Sequence, residues 1–180
     1  MGVARVVLTG GECTGKTTLA RTLAARWKTA WAAEAAREVA LAHPGVLGPE
    51  DVPVIARTHV RLARDAERAA AEAGRPLVFF DQDLVATVVY AKHYYGECPR
   101  WIERLATERR GDLYLLCRPD LPWESDGVRD RPAARGEIHA LFAAALAASG
   151  ARVVDVGGGG SAREALAAGA VDGFLTENAG

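Results

Sequence analysis

Cysteine, lysine and long apolar runs are all scarce in this sequence, and each scarcity narrows what the chain can be. Its three cysteines, Cys13, Cys98 and Cys117, form no CxxC pair and no metal-ligand spacing. An odd count fits a reduced compartment better than a disulfide scaffold. The most apolar helical stretch, "ALFAAALAAS" at 140–149, is ten residues, far short of the roughly 20 that span a bilayer. No signal pattern opens the sequence, and Val6 stands where myristoylation takes Ser or Thr. A cytoplasmic protein without a membrane partner is expected. Net charge is −1 and the pI about 6.4, so no basic field draws the chain to nucleic acid. Lysine occurs only at 16, 28 and 92, which makes a lysine inside a glycine loop less of an accident.

What is present is a regular alternation of strand and helix. Apolar β-branched runs at 4–10, 76–83, 112–120 and 151–157 read as strands, with a brief one near 28–33. Helical patterns lie between them, over 16–27, from about Glu34, over 49–74, and at about 83–95, 99–110, 135–149 and 161–168. In 49–74, Val52, Ile55, His59 and Leu62 share the apolar stripe, and Gly74 ends the helix. Ser161 and Glu164 have the spacing of a capping box. Strands separated by helices call for right-handed crossovers and a parallel sheet covered on both faces. The expected fold is therefore α/β, a three-layer sandwich in one domain spanning 1–180, with no repeat and no linker. Ligands in such sheets bind at the C-terminal edge of the strands. That edge should collect residues 10–17, Glu34, 81–83, Pro119 and 157–160.

Residues 10–17, "GGECTGKT", match GxxxxGK[ST] in full. A chance match in a chain of this length is on the order of 1%, and the strand–loop–helix setting makes it rarer. Gly10, Gly11, Glu12, Cys13, Thr14 and Gly15 form a loop whose backbone N–H groups cradle phosphate, with Thr18 just beyond in the helix. Lys16 neutralises the β- and γ-phosphates, and the Thr17 hydroxyl is a Mg²⁺ ligand. The loop predicts a nucleoside triphosphate with Mg²⁺.

Asp81, where a buried strand emerges, is the second candidate metal ligand; the alternative is a strand-end turn residue. Asp83 is either part of the site or a helix N-cap. Glu34 is a candidate general base, or the partner of Arg37 in an ordinary i,i+3 ion pair. Residues 118–135 break the Ala-rich texture with Pro119, Pro122 and Pro132 and carry Arg118, Arg129, Arg131 and Arg135. They read as a lid that closes over transferring phosphate, or as a solvated loop with its arginines paired to Glu124, Asp126 and Asp130. Trp123 is a hinge anchor or a core plug. His59 and His93 sit in helical patterns and read as packing residues.

Four stretches, "GGECTGKTTLA", "WAAEAAREVA" (31–40), "FFDQDLVATVVYAKHYYG" (79–96) and "LPWESDGVR" (121–129), fall in one order. Together they resemble the nicotinamide riboside kinase domain of NadR-type proteins within the P-loop superfamily. The likeness covers about 4–156, and the "PWxxDGxR" and "DxD…YYG" stretches are its specific part. It implies Mg·ATP-dependent phosphorylation of a ribosyl 5′-hydroxyl on a small-molecule nucleoside. Carried over, Lys16 and Thr17 hold phosphate and Mg²⁺, and Glu34 and Arg37 lie in the acceptor site. Asp81 and Asp83 organise metal and ribose, Asp126 and Arg129 belong to the lid, and Trp31 stacks on the nicotinamide ring. Residues 41–53 hold no Tyr or Trp for a second ring wall, and neither an adenylyltransferase nor a DNA-binding domain is expected. Two rivals stand beside this reading: another nucleoside or nucleotide kinase, and a nucleotide-dependent switch acting on a protein. The sequence has no NKxD guanine signal, and Gln82 is the only candidate to position a water for the switch.

Overall fold

The computed structural model describes residues 2–43, 46–122 and 134–178. Five strands form one sheet: β1 (Ala4–Thr9), β2 (Trp31–Ala32), β3 (Leu77–Asp81), β4 (Leu113–Cys117) and β5 (Val153–Val156). Their order is β2-β3-β1-β4-β5 and every pairing is parallel. β3 and β4 are buried at every position, which is why "LVFFD" and "LYLLC" show no alternation of apolar and polar residues. β1 runs through the middle, with Leu8 opposite Asp81 on one side and Leu115 on the other. The phosphate loop therefore leaves a strand held on both edges.

Helices cover both faces, which makes three layers. α1 (Lys16–Trp27) and α7 (Gly160–Glu177) pack on the face carrying Leu8, Phe79 and Leu115. The opposite face carries Val7, Phe80 and Tyr114. It is covered by α3 (Val52–Glu72), α4 (Leu84–Tyr95), α5 (Arg100–Glu108) and α6 (Arg135–Ala148). The adjacent pair Phe79 and Phe80 thus feeds two different cores, as the period of two along a strand requires. α2 (Ala35–Ala42) packs against α3. α4 runs antiparallel to α6: the Tyr90 ring meets Phe142 edge-on at 5.5 Å, and His93 lies 3.8 Å from Glu137 near the start of α6.

Three local expectations are corrected. The segment from Pro49 begins as a 3₁₀ turn, Pro49–Asp51, before α3 proper. The buried stripe of α3 is Val52, Ala56, His59, Ala63, Ala66 and Ala70, with Ile55 and Leu62 only half buried. Alanines line the stripe because they let the helix lie close to the sheet. Second, α7 does not stop near 168. Val171 and Phe174 continue its buried face, and the helix runs to Glu177. Third, Ser161 is not the cap of α7. The cap position is Gly159 and makes no side-chain hydrogen bond, so Ser161 already lies in the first turn. Gly74 ends α3 as expected, at φ +63°, with Arg75 N–H donating to the Ala70 carbonyl at 2.9 Å.

Candidate active site

The loop after β1 takes positive φ at Gly10, Cys13 and Gly15, the kind of alternation that turns peptide N–H groups toward one side. Its carbonyls are held on the other side. Gln82 Nε2 donates to Gly10 O at 2.9 Å, and Lys16 Nζ (2.6 Å) and Thr14 Oγ1 (2.9 Å) both donate to Gly11 O. Arg135 Nη2 donates to Cys13 O at 3.1 Å and Arg163 Nη1 to Thr14 O at 2.9 Å. These anchors on the carbonyls of residues 10, 11, 13 and 14 prepare the loop for an anion before one arrives. Gly10 cannot be replaced without movement, because a Cβ there would lie 2.7 Å from the Cys117 carbonyl oxygen.

Lys16, Thr17 and Asp81 come together at the end of the central strands. The Thr17 hydroxyl donates to Asp81 Oδ2 at 2.5 Å. Asp81 Oδ1 is buried with no hydrogen-bond partner among the described residues. Burial pushes the Asp81 carboxyl above its ordinary range and the nearby Glu34 adds to this, while Lys16, the Thr17 hydroxyl and Arg37 pull it down. A buried carboxylate oxygen without a partner beside a threonine hydroxyl fits a divalent cation. No group of three or more His, Cys, Asp or Glu exists among the described residues to hold a metal unaided. Mg²⁺ suits such a half-site, since it takes one or two protein oxygens and completes its shell from phosphates and water.

Glu34 occupies the N-cap position of α2 with its side chain 13% exposed, and Arg37 Nε lies 4.0 Å from it. That is the limit of an ion pair, so the i,i+3 contact is present but loose. Asp83 caps α4: Oδ1 accepts from Val85 N–H at 2.9 Å and Oδ2 from the Tyr114 hydroxyl at 2.6 Å. The carboxyl is buried and its pKa is pushed up to about 6 by that burial, against the pull of the Tyr114 and Val85 hydrogen bonds. Gln82, between the two acids, is in the left-handed region at φ +69°. Its Oε1 accepts from the Thr9 hydroxyl at 3.0 Å while Nε2 holds Gly10.

The other expected residues are more dispersed. Trp31 lies on edge strand β2, half buried against the α1 side, with the Arg21 guanidinium 6.0 Å from its ring centroid. Asp126 and Arg129, with Trp123, Glu124, Asp130, Arg131 and Pro132, fall outside the described residues. Of the lid arginines, Arg135 faces the phosphate loop and also donates to Leu121 O at 3.0 Å, whereas Arg118 pairs with Asp155 at 3.1 Å. His59 is buried beside Phe80, and burial, with Arg109 and Arg5 nearby, lowers its pKa to about 4. It is a packing residue.

Sequence reasoning missed two anchors of the loop, Gln82 as a brace and Arg163 altogether. Arg163 is 4% exposed. The only sequence signal for it was "SARE", whose capping-box spacing drew attention to Ser161 and Glu164 instead.

The family model described as an AAA domain matches residues 5–163. The Trifunctional NAD biosynthesis/regulator proteins NadR of Escherichia coli (strain K12) and Salmonella typhimurium (strain LT2) are each 33% identical over 131 residues, 71% of this chain and 31% of theirs. A crystal structure of NadR protein in complex with NR superposes with a TM-score of 0.80 at 26% identity, over 96% of this chain and 49% of that one. NadR protein in complex with NAD and AMP-PNP gives 0.79 over the same shares. Thymidylate kinase from Ehrlichia chaffeensis, at 11% identity and a TM-score of 0.68 over 97% of this chain and 100% of that one, shares the fold. The chain thus spans about a third of the curated relatives and half of the NadR structures.

Proposed function

Because the chain belongs to the AAA-domain family of P-loop proteins, we propose that its cleft transfers the γ-phosphoryl group of ATP to a nucleoside hydroxyl, with nicotinamide riboside as acceptor. The observation that carries this reading is the meeting of Thr17, Asp81 and Lys16 at the phosphate loop, with Glu34 and Arg37 close enough to act on the Asp81 carboxyl. The donor machinery and a second acid therefore share one strand edge. The solved NadR complexes with NR and with AMP-PNP support the two ligands.

In the proposed reaction the 5′-oxygen of the acceptor attacks the γ-phosphorus, the bond to the β–γ bridging oxygen breaks, and ADP leaves. Glu34 takes the hydroxyl proton. Lys16 and the inward N–H groups of the loop balance charge on the phosphoryl oxygens, and Arg135 and Arg163 hold that loop in place. Thr17 and Asp81 would hold Mg²⁺, which screens the phosphate charge when bound. Asp83, fixed by Tyr114 and by its cap to α4, sets the wall of the acceptor side. Trp31 stacks on the ring from the sheet edge, on an indole that already attracts the Arg21 cation. Asp126 and Arg129 complete the lid, and residues 1–180 act as one kinase domain. Arguing against a switch, Gln82 is buried and its amide braces Thr9 and Gly10.

The test is incubation of the purified chain with Mg·ATP and a nucleoside panel, following ADP and the mass of the phosphorylated product. Nicotinamide mononucleotide is expected. ADP release that ignores every acceptor and survives Glu34→Ala would instead favour the switch.

A further inference from the structure

We propose that Tyr114 and Asp83 are positioning residues, a buried strut that holds the turn at Asp81 and Gln82 against the phosphate loop and touches no substrate. This rests on the nucleotide-binding reading above and concerns what keeps its acid in place. Three residues reverse the chain between β3 and α4, and each points somewhere different. Asp81 faces Thr17, Gln82 braces Thr9 and Gly10, and Asp83 turns back into the core. Asp83 is 6% exposed, and each of its oxygens carries a hydrogen bond. Oδ1 accepts from Val85 N–H at 2.9 Å, and Oδ2 accepts from the Tyr114 hydroxyl at 2.6 Å. The Tyr114 oxygen accepts in turn from Gly111 N–H at 2.9 Å. Gly111 lies against β1, where a Cβ would come within 2.6 Å of Val7 Cγ2. A line of hydrogen bonds therefore runs from the start of β4 to the start of α4. Asp83 shapes the acceptor wall from behind it.

The turn needs such a support. Gln82 is a non-glycine residue at φ +69°, a conformation that persists only where its surroundings over-determine it. On one side its N–H donates to Leu8 O at 2.9 Å, in line with the pairing of β1 and β3. On the other side the chain is fixed by Asp83. Without that second hold the strain at Gln82 can relax, and the Gly10 brace and the Asp81 carboxylate move with it. Asp81 is sensitive to this, because its Oδ1 has no hydrogen-bond partner among the described residues and the Thr17 hydroxyl is the bond that orients the group. The residue types fit a strut. Ser or Asn would cap α4 as well as Asp does. Neither would bury a carboxylate among uncharged donors, here the Tyr114 hydroxyl and backbone N–H groups at the start of α4. The second oxygen of Asp83 is explained by Tyr114. The Tyr114 hydroxyl, on a side chain with no exposed surface, is explained by Asp83 and Gly111.

The experiment takes the strut apart from each end. Mn²⁺, an oxygen-seeking stand-in for Mg²⁺, is titrated in the presence of a saturating non-hydrolysable ATP analogue and followed by electron paramagnetic resonance. The wild type, Tyr114→Phe, Asp83→Ser and the double variant are compared, beside thermal melts and nucleoside kinetics. Folded Tyr114→Phe should bind Mn²⁺ about 10-fold more weakly, the lower end for residues that orient a metal ligand. Its kcat should fall by a similar factor with the acceptor KM unchanged, the pattern of a lost interaction that serves only the transfer step. Asp83→Ser, which keeps a capping hydroxyl, should do the same. The double variant should be no worse than either single one, because the two residues act as a unit. Wild-type Mn²⁺ affinity in folded Tyr114→Phe overturns the proposal, and so do losses that add in the double variant. An acceptor KM raised by Asp83→Ser and not by Tyr114→Phe also overturns it, since Asp83 would then meet the acceptor itself. Where Asp83→Ser does not fold, Tyr114→Phe decides alone. Failure of the wild type to bind Mn²⁺ with the analogue removes the nucleotide reading and this proposal together. A wild type that binds both and phosphorylates no nucleoside removes the acceptor reading alone, and the Mn²⁺ titration still judges the strut.

Discussion

The Thr17 hydroxyl, in the first turn of α1, donates to Asp81 Oδ2 at the end of β3, 2.5 Å away, inside a site where Asp81 is 1% exposed. This bond ties the phosphate-binding helix to the strand that carries the acid. It also buries a carboxylate whose other oxygen has no partner among the described residues, an arrangement that costs stability until a cation arrives.

Asp81→Asn should therefore separate stability from function. The folded-state pKa of Asp81 is raised by burial. The native state then binds more protons than the unfolded one above pH 3.8, and ionisation at neutral pH works against folding. The variant should melt above the wild type without ligand. Mg·ATP at 100 times its Kd should raise wild-type stability by about 2.7 kcal/mol and the variant much less, while kcat falls at least about 100-fold. Thermal melts with and without Mg·ATP, beside ADP release, check this. A lower melting temperature for the ligand-free variant would refute the account.

Gln82→Gly keeps the left-handed backbone but removes the bonds to Thr9 and Gly10. Weakening of ATP binding by roughly 10-fold or more is expected, since about 1–3 kcal/mol follows each buried partner left unmatched. Acceptor-independent ATP hydrolysis should not change. Titration with a non-hydrolysable ATP analogue and a background hydrolysis assay read the two effects separately.

Gly10→Ala and Gly11→Ala should differ sharply in stability although they are neighbours. At Gly10 the new Cβ meets the Cys117 carbonyl oxygen at 2.7 Å with φ at +127°; at Gly11 it meets only Ile138 Cγ2 at 3.3 Å. We expect a loss of about 2–4 kcal/mol for the first, combining overpacking with backbone strain, and under about 1.5 kcal/mol for the second. Urea unfolding of both variants decides it.

Acid stability should reflect two buried groups acting in opposite directions. His59 titrates near 4 in the fold instead of 6.5, so the unfolded state takes its proton first. Stability from this group is lost as pH falls from 6.5 to 4, on the order of 3 kcal/mol. Asp83 titrates near 6 instead of 3.8, so the folded state takes that proton first. Its contribution grows as pH falls through 6 toward 3.8 and fades as pH rises. His59→Gln should gain stability relative to wild type on acidification, and Asp83→Asn, which keeps a capping side chain, should lose it. Denaturant midpoints between pH 4 and 7 give both slopes, and parallel curves for all three proteins would contradict the assignment.

The phosphate loop was legible because its chemistry is local: eight consecutive residues hold the glycines, the lysine and the threonine. The strands were legible too, since β3 and β4 are continuous apolar runs that a helix of that length does not need. Gln82 and Arg163 were not, because their roles depend on contacts with Gly10 and Thr14 that only the closed sheet creates. A buried arginine looks like a surface one until its partners are known. The same local view assigned a cap to Ser161, where Arg163 holds the Gly158 carbonyl and the helix begins earlier. Asp83 shows the intermediate case: it reads as a helix cap or a site residue, and its capping bond to Val85 comes with a Tyr114 contact that spacing does not reveal.

The central place of β1 has a consequence for how the protein is made. Its partners on either side, β3 and β4, lie far downstream in the chain. A growing polypeptide exposes the glycine loop before β3 and the Gln82 brace, gains its second flanking strand only once residue 117 has emerged, and gains the Arg163 anchor later still. Long-range pairings of this kind are slow to form. The nucleotide site should be among the last features to mature during synthesis, so a nascent chain arrested before β4 would carry the full motif and yet bind no ATP.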